Sequence, residues 1–537
     1  MEFGLEDEMK TYCGGLGILS GDIFKSNTDL EYEMIGISIL YKKGYFKQVI
    51  VNGKQTEEDD LWDYKKFLTK VDKQFILKVN NLEINYQLWK YEYKSMASGF
   101  VNCIYFIDTD IESNTENIRI LSDHIYPWDK TIWNMQEILL GLGAIDINKQ
   151  LNLGIEIFHL NESHSAVLAL ALRNEFSSEQ EVREHLVFTT HTPLEGAHQK
   201  MEINILKDLI GEDLTNLIPK QLIVNNLVNY TDLCLYFAKT SNAVARRHKD
   251  VTLAMYPQYD IKYITNGVHT GTWVCEGLGK IYDTYLGNWR IDPNALRQIG
   301  VVPDQLLLDN HSSNKQNLCN YLKSEGYDFD PNVFTIGFAR RTTGYKRADF
   351  ILSQIDRLKS IAKKYGKLQI VFSGKAYPTD EVGKQLVSRL IEAASLTDQH
   401  LSIAFVPNYG IKLAKTILLG CDLWLNNPMP PLEASGTSGM KASINGIPNF
   451  SILDGWWVEG HLEGETGWSI GQDLCVGDLC KLYETEDLYS KLENEIYNTY
   501  QDKAKWVKLI KTCIALNGTY FNTHRVVQEY YLISYLK

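Results

Sequence analysis

The sequence lacks the cysteine patterns that mark disulfide-rich and zinc-binding proteins. It has nine cysteines, an odd number, and no CxxC pair. The closest two are Cys475 and Cys480, and no histidine cluster completes a zinc site around them. We therefore expect no metal, and we expect reduced, buried thiols as in a cytosolic protein.

Long apolar runs are missing too. A run such as AVLALAL (166–172) ends in charged residues, far short of the ~20 residues needed to span a bilayer. No basic start followed by an apolar stretch marks export. These absences predict a soluble protein of the cytoplasm that has no membrane partner.

Positively charged residues are fewer than negatively charged ones. The chain has 54 Lys and Arg residues against 67 Asp and Glu, a formal net charge of −13. This balance argues against nucleic acid or an anionic membrane as the main partner. An anionic substrate would have to meet a local basic pocket.

What recurs along the chain is a short apolar run, then a polar or glycine-bearing loop, then a helical pattern. The examples are GIEIFHLNESHSAVLALAL (154–172), HLVFTTHTPLEG (185–196), KYITNGVH (262–269), VFTIGFARRTTGYKR (333–347), LQIVFSGKAYPTDE (368–381) and LSIAFVPNYG (401–410). Such runs predict buried strands of parallel sheets, with the polar residues at the carboxyl ends where α/β proteins bind ligands. The predicted fold class is α/β.

The domain organisation is predicted from size and composition. With 537 residues, 44% of them apolar, two large lobes or more domains are possible by length. The polar segment 309–332 carries turn residues and predicts a boundary between domains 1–328 and 329–537. The apolar spacing in 520–537 predicts an amphipathic helix that could pack across either lobe.

Two basic or small-residue clusters are candidates for anion binding. Arg340-Arg-Thr-Thr-Gly-Tyr-Lys-Arg347 places four cations directly after a predicted strand, which favours a phosphate site over a solvated turn. Glu433-Ala-Ser-Gly-Thr-Ser-Gly-Met-Lys441 combines a nest of small residues with one lysine. That lysine could form a Schiff base with a phosphorylated aldehyde, or it could be a solvent-facing helix lysine.

Three weaker patterns accompany them. Tyr12-Cys-Gly-Gly-Leu-Gly could bring backbone amides to an anion, but by itself it is better explained as a structural turn. Polar groups in Asn161-Glu-Ser-His164 and Thr190-His-Thr192 could bind sugar hydroxyls or hold loops. Asn266-Gly-Val-His269 has the same character.

In this order, the motifs resemble those of the α-glucan phosphorylases (glycogen, starch and maltodextrin phosphorylases), most of all the short bacterial and archaeal branch. The likeness runs from the first residues to about Trp457. It implies the GT-B architecture, with two Rossmann-like lobes around a cleft. It also implies phosphorolysis of an α-1,4-glucan by orthophosphate to α-D-glucose 1-phosphate, with retained configuration, and it allows a homo-oligomer.

The resemblance also implies a pyridoxal 5′-phosphate cofactor and a set of site residues. Cofactor residues are Lys441, Arg340, Thr437, Ser438, Tyr409 and Trp273, with Tyr345 beside them. The residues implied to bind substrate phosphate are Arg341 and Lys346, with the amides of Gly14, Gly15 and Leu16. The residues implied to contact the sugar are Glu162, His164, His191, Asn266, Glu433, Ala434, Ser435 and Gly436. Arg341, Lys346, His191 and Lys441 are the predicted catalytic residues.

In the implied reaction, orthophosphate protonates the departing glycosidic oxygen and then captures the anomeric carbon. The sequence departs from the family pattern at Arg340, where long forms have lysine, and at Ser438, where they have glycine. It also starts inside the family's first strand and loop, so either the sequence is a fragment or the first sheet lacks an edge strand. Two rival interpretations stay open: a nucleotide-sugar glucan synthase, and a glucan-binding protein without catalysis.

Overall fold

The structure is a computed structural model that describes residues 1–473, 475 and 477–536. The described chain divides into two compact units. The first contains Met1–Phe46, Asp59–Thr265 and the segment from Val526 on, and the second contains Lys47–Glu58 and Asn266–Arg525. The units change over at residues 265 and 266, within the sequence domain expected to span 1–328. The assignment of domains 1–328 and 329–537 stays a prediction.

The strands are named in chain order. They are β1 (Ile35–Ile39), β2 (Lys47–Val51), β3 (Lys54–Glu58), β4 (Thr69–Val79), β5 (Leu82–Lys94), β6 (Val101–Asp108), β7 (Phe158–Asn161), β8 (Leu186–Thr189), β9 (Lys200–Glu202), β10 (Ile223–Val224), β11 (Leu227–Asn229), β12 (Thr240–Ala243), β13 (Ile261–Tyr263), β14 (Thr335–Ala339), β15 (Leu368–Ser373), β16 (Leu401–Val406), β17 (Leu423–Asn426), β18 (Asn449–Ile452) and β19 (Gly467–Ile470).

The helices follow the same rule. They are α1 (Gly15–Asp29), α2 (Glu116–Arg119), α3 (Lys130–Leu151), α4 (Val167–Glu175), α5 (Glu179–His185), α6 (Ile203–Ile210), α7 (Glu212–Thr215), α8 (Tyr230–Phe237), α9 (Arg246–Met255), α10 (Thr270–Trp273), α11 (Glu276–Tyr285), α12 (Asp304–Ser324), α13 (Ile355–Tyr365), α14 (Glu381–Ala394), α15 (Ile411–Gly420), α16 (Ser438–Ser443), α17 (Trp457–Gly460), α18 (Asp478–Lys491), α19 (Tyr497–Gln501), α20 (Lys503–Thr512) and α21 (Thr523–Tyr530). Lys537, the last residue of the predicted C-terminal helix, lies outside the described residues.

The first unit contains a parallel sheet, a mixed sheet and a small antiparallel sheet of order β10-β11-β9. Strands β13, β12, β8 and β7 pair in that order and are parallel throughout. In the other four-stranded sheet, of order β1-β6-β5-β4, β1 and β6 are parallel whereas β5 pairs antiparallel with both neighbours. The predicted strands at 158–161, 186–189 and 261–263 are confirmed, and the antiparallel strands were not predicted.

The second unit is built on six parallel strands in the order β16-β15-β14-β17-β18-β19. In chain order this is 3-2-1-4-5-6, the order of a doubly wound sheet. All six residues of β15 and of β16 are buried, which explains why their sequences are continuous apolar runs rather than alternating ones. The order reverses between β14 and β17, so the loops after these two strands open onto the switch point.

A hairpin from the N-terminal part of the sequence belongs to the second unit. Strands β2 and β3 pair antiparallel, and two buried glutamines attach them to loops that follow β15 and β16. Gln48 exchanges hydrogen bonds of 2.7 and 2.9 Å with Asn408, and Gln55 exchanges bonds of 2.8 and 3.0 Å with the backbone of Ala376. Side chains thus replace the backbone ladder as the link between hairpin and sheet.

Helix α12 occupies the segment 309–332 as far as Ser324 and packs Leu318 and Leu322 into the core. Its polar residues cover the exposed face of an amphipathic helix. Cys475 and Cys480 are joined in a disulfide instead of being reduced, since the turn into α18 brings their Cα atoms to 5.6 Å. The other seven cysteines are free thiols, as expected.

The apolar content of the helices agrees with the absence of long apolar runs. Within the described part of the chain, every helix is too short or too polar to cross a bilayer.

Candidate active site

Three of the predicted charged residues of the second unit meet in the loops after β14 and β17. Arg340 directly follows β14, and its guanidinium donates to Asn426 Oδ1 at the end of β17 and to Glu433 Oε2 at 2.6 Å. Lys346 Nζ lies 3.1 Å from the same carboxylate oxygen. All three charged residues are less than 10% exposed. The carboxylate of Glu433 therefore faces two buried cations.

The charges around Glu433 determine its protonation. Burial alone would raise its pKa, but Arg340 and Lys346 outweigh that effect and lower the pKa to about 2. The carboxylate is thus ionised throughout the physiological range. Its backbone N–H donates to Asp454 Oδ2 at 2.9 Å, which fixes the peptide as well as the side chain.

The segment from Glu433 to Lys441 forms a tight loop followed by helix α16. Gly436 has φ +76°, in the left-handed region that favours glycine, so the chain can turn before the helix. At Gly455 (φ +55°) a Cβ would lie 2.3 Å from the carbonyl oxygen of Ser435. The loop is therefore packed directly against a second backbone segment, and this close approach requires glycine.

The hydroxyls of this loop have different environments. Ser435 Oγ is buried and has no hydrogen-bond partner among the described residues. Ser438 Oγ accepts a hydrogen bond of 3.1 Å from the Trp424 indole. Thr437 is the N-cap residue of α16 and makes no side-chain capping bond. An unpartnered hydroxyl in a buried position is costly, which makes Ser435 a candidate for ligand contact.

Lys441 is buried in α16, contrary to the alternative of a solvent-facing lysine. The residue is only 7% exposed, and its Nζ lies 3.9 Å from the centroid of the Trp273 ring. Asn445, one turn later, donates to the carbonyl oxygens of Lys441 and Trp273 at 2.9 and 2.8 Å. The amide side chain thus fixes the indole segment beside the lysine.

The other predicted residues of the second unit have different environments. Tyr345 presents its ring to Lys346 Nζ, 4.8 Å from the centroid. Burial raises the pKa of Tyr409 to about 12, although the charge of Arg340 lowers it. Arg341 is exposed, and Ala434 is half-buried. The carbonyl oxygen of buried Asn266 accepts from Arg525 at 3.2 Å.

A second group of predicted residues lies in the first unit, at the carboxyl ends of β7 and β8. Glu162 has φ +74°, unusual for a side chain other than glycine, and its carboxylate accepts from the N–H groups of Ser163 and His191 and from Thr192 Oγ1, at 2.8–2.9 Å. It therefore holds the loop after β8 rather than projecting freely.

The histidines of this group are neutral at pH 7. Burial, together with neighbouring His248 and His159, lowers the pKa of His191 to about 3. Its Nε2 lies 2.6 Å from Asn161 Oδ1, an acceptor, so Nε2 carries the proton. Burial also holds the pKa of His164 well below its usual value. These rings can form hydrogen bonds but cannot act as charged acids.

The glycine motif near the N-terminus begins a helix. Gly14 is the N-cap of α1, and a Cβ at Gly14 or Gly15 would meet no atom within 4 Å. The N–H of Gly14 donates to Glu2 Oε2 at 3.2 Å, so this amide already has an anionic partner. Leu16 is half-buried in the first turn.

Sequence reasoning missed the residues that support the charged group. Asn426, Asn427 and Asp454 hold Arg340, the Lys346 loop and Glu433 through buried hydrogen bonds. The rule that polar residues gather at the carboxyl ends of parallel strands could have identified Asn426 and Asn427. No sequence signal pairs Asp454 with Glu433, because they meet only through the fold.

The chain is similar to known carbohydrate phosphorylases over most of its length. The chain matches the model of the carbohydrate phosphorylase family over residues 4–103 and 205–467. It is 35% identical to a glycogen phosphorylase of Aquifex aeolicus, over 98% of this chain and 84% of that protein. It is also 35% identical to a maltodextrin phosphorylase of Thermococcus litoralis, over 99% and 69% of the two chains.

A third relative is similar in length. An uncharacterized protein of Methanocaldococcus jannaschii is 30% identical over 99% of this chain and 97% of its own. The family match includes the segments of Arg340, Lys346, Glu433 and Lys441. The chain belongs to the carbohydrate phosphorylase family.

Proposed function

We propose that the chain is an α-glucan phosphorylase, which transfers a glucosyl residue from an α-1,4-glucan to orthophosphate and releases α-D-glucose 1-phosphate with retained configuration. The observation that supports this best is the buried group of Arg340, Lys346 and Glu433 at the switch point of the six-stranded sheet, in which two cations face one carboxylate. Glycogen and maltodextrin phosphorylases are among its relatives.

The parallel sheets support the GT-B architecture, with two Rossmann-like lobes. The second unit has the complete doubly wound order, and the first contains four parallel strands. The proposed cytoplasmic location rests on the composition of the sequence.

The residues of the second unit fit pyridoxal 5′-phosphate. Lys441 is a buried amine beside an indole ring, and the nearby Ser435 hydroxyl lacks a partner among the described residues. In the proposed arrangement Lys441 is the attachment point, Arg340, Thr437 and Ser438 hold the cofactor phosphate, and Tyr409 and Trp273 lie around the ring. When bound, the cofactor would supply a second phosphate group, which could act as a proton donor or acceptor.

The charged side chains would act on the substrate phosphate. Lys346 and Arg341 bind orthophosphate and stabilise its negative charge as it protonates the departing glycosidic oxygen and then captures the anomeric carbon. Because Glu433 remains ionised, it can accept hydrogen bonds from glucosyl hydroxyls while holding both cations in place. Ala434, Ser435 and Gly436 contribute further sugar contacts.

The first unit would contribute recognition rather than acid chemistry. A neutral His191, fixed by Glu162 and Asn161, donates through Nε2 to Asn161, so Nδ1 can accept a hydrogen bond from a sugar hydroxyl but the ring cannot supply a proton at pH 7. His164 has the same proposed role. In the second unit, Asn266 is proposed to bind the sugar and Tyr345 to line the substrate. The amides of Gly15 and Leu16 would bind orthophosphate, whereas that of Gly14 would first have to exchange its bond to Glu2.

The activity test is incubation with maltodextrin and orthophosphate, with and without added pyridoxal 5′-phosphate, followed by an assay for glucose 1-phosphate. We expect cofactor-dependent product from the unmodified protein and none from Lys441→Ala. Glucan binding without product would favour the non-catalytic interpretation. Transfer from a nucleotide sugar without the cofactor would favour the synthase.

Attachment can be tested separately. Borohydride reduction followed by peptide mass analysis should find a pyridoxyl adduct on Lys441. Lys415 is the control, because its Nζ also lies near the Trp273 ring, at 5.5 Å from the centroid. An unmodified Lys441, or an adduct on Lys415 alone, would contradict the proposed cofactor site.

A further inference from the structure

Arg347 connects the two loops that carry the charged residues of the proposed site. It follows Lys346 directly and has φ +48°. Its Nε donates to the carbonyl oxygen of Asn427 at 2.9 Å, and its Nη2 donates to that of Pro428 at 2.8 Å. The planar fork of one guanidinium thus binds two successive carbonyl groups in the loop after β17.

Asn427, in the loop after β17, donates hydrogen bonds to the loop after β14. Its Nδ2 donates to the carbonyl oxygens of Lys346 and Arg347, at 3.1 and 2.6 Å, and the residue is fully buried. These four side-chain hydrogen bonds, together with a backbone bond of 2.8 Å from the Met429 N–H to the carbonyl oxygen of Tyr345, join the loop after β14 to the loop after β17. These are neighbouring strands at the point where the strand order reverses.

A third element holds the guanidinium from outside these loops. Arg347 Nη1 pairs with Glu484 Oε2 of α18 at 2.5 Å, and the two side chains are only 12% and 5% exposed. The guanidinium carbon also lies 4.5 Å from the centroid of the Phe350 ring. Because both partners are enclosed, removing either one would leave a buried charge without its counter-charge.

We propose that Arg347 is a positioning residue for orthophosphate binding, which with Asn427 and Glu484 fixes the backbone at Lys346. The proposal rests on the proposed function, which assigns substrate phosphate to Lys346. Glu433 has anchors of its own in Asp454 and Arg340. Loss of the Arg347 contacts should therefore displace Lys346 more than the sugar-binding carboxylate.

The test compares Arg347→Lys with Arg357→Lys. Lysine keeps the positive charge beside Glu484 but cannot bind two carbonyl groups as a fork. Arg357 is a matched control, since it pairs with Glu486 of the same helix through two bonds of 2.6 and 2.9 Å but is more exposed. In Arg347→Lys we expect KM for orthophosphate to rise about tenfold and KM for maltodextrin to change less than twofold. Arg357→Lys should change neither.

A purely structural role predicts a different result. It would lower kcat through the folded fraction and leave both KM values unchanged, and this result would overturn the proposal. If Arg347→Lys does not fold, the double variant Arg347→Gln/Glu484→Gln removes both buried charges. An unchanged KM for orthophosphate in that variant would overturn the proposal as well.

Failure of the proposed function can be separated from failure of this proposal. If the unmodified protein forms no glucose 1-phosphate, the proposed function is wrong. Calorimetric titration with inorganic phosphate then compares the unmodified protein and Arg347→Lys. A tenfold weaker affinity in the variant supports positioning by Arg347, whereas equal affinity, or binding by neither, overturns it.

Discussion

At the scale of single residues, Glu433 holds the charged group of the second unit together. Its carboxylate contacts the side chains of both Arg340 and Lys346 in a region sheltered from water. A buried pair contributes little when compared with apolar packing, but loss of one partner leaves charge without compensation. Glu433 therefore holds two mutually repelling cations close enough to bind one anion.

We predict that Glu433→Gln lowers the free energy of unfolding by about 3 kcal/mol at pH 7, because two buried cations lose their counter-charge. Urea unfolding measures the change. Glu465→Gln is the control, since the pair of Glu465 with Lys508 is exposed and should contribute less than about 0.5 kcal/mol. Equal stability of the two variants would contradict this role for Glu433.

The same carboxylate predicts a pH dependence. Its pKa of about 2 in the folded protein lies below the value of about 4.3 in an unfolded chain. The stabilisation is therefore complete above pH ~4.3 and is lost as the pH falls toward 2. Unfolding curves between pH 7 and pH 3 should show the unmodified protein and Glu433→Gln converging in stability. A constant difference would show that Glu433 acts through packing alone.

At the scale of elements, close packing of the Ser435 loop against the turn at Gly455 determines where Glu433 and Lys441 lie. We predict that Gly455→Ala destabilises the protein by about 3 kcal/mol, because the added Cβ has both an unfavourable φ and a 2.3 Å approach to Ser435. It should also reduce turnover.

Gly464→Ala separates these two effects. Gly464 has φ +70°, but a Cβ there would meet no atom within 4 Å. We expect a cost of about 1 kcal/mol from backbone strain alone and unchanged turnover. If both variants behave alike in urea unfolding and in activity, the close approach at Ser435 is not important.

The hairpin of β2 and β3 shows a second effect at this scale. We predict that Gln55→Ala destabilises the second unit by about 2 kcal/mol, because the buried N–H and carbonyl of Ala376 lose their bonds to Gln55 and Gln48 loses one of the two bonds that its Nε2 donates. Thr56→Ala, which loses only an exposed bond on the same hairpin, should cost less than about 0.5 kcal/mol. Similar losses in the two variants, measured by urea unfolding, would contradict this account.

At the scale of the whole molecule, each unit has its own buried core. A ligand that binds only the folded second unit should stabilise that unit by mass action. At a free pyridoxal 5′-phosphate concentration 100 times its dissociation constant, we expect about 2.7 kcal/mol. Scanning calorimetry should show the shift in the unmodified protein and in Lys415→Ala, but not in Lys441→Ala. A shift that persists in Lys441→Ala would exclude this lysine as the attachment point.

The α/β class and several strand ends were predictable from the sequence. The runs at 335–339, 368–373 and 401–406 are apolar because helices and neighbouring strands cover them, and the polar loops follow where parallel strands end. Family motifs then identified Arg340, Lys346, Glu433 and Lys441. These signals are local in sequence, so they survive without any knowledge of the fold.

The tertiary structure decided what these residues contact. Glu433 pairs with cations almost a hundred positions earlier, Arg347 is held by Glu484 of a distant helix, and Gln48 docks on Asn408. Such pairings depend on strand order and loop packing, which leave no mark in the sequence near either partner. Local chemistry was therefore determined by the sequence alone, whereas protonation, positioning and the choice of partner were determined by long-range packing.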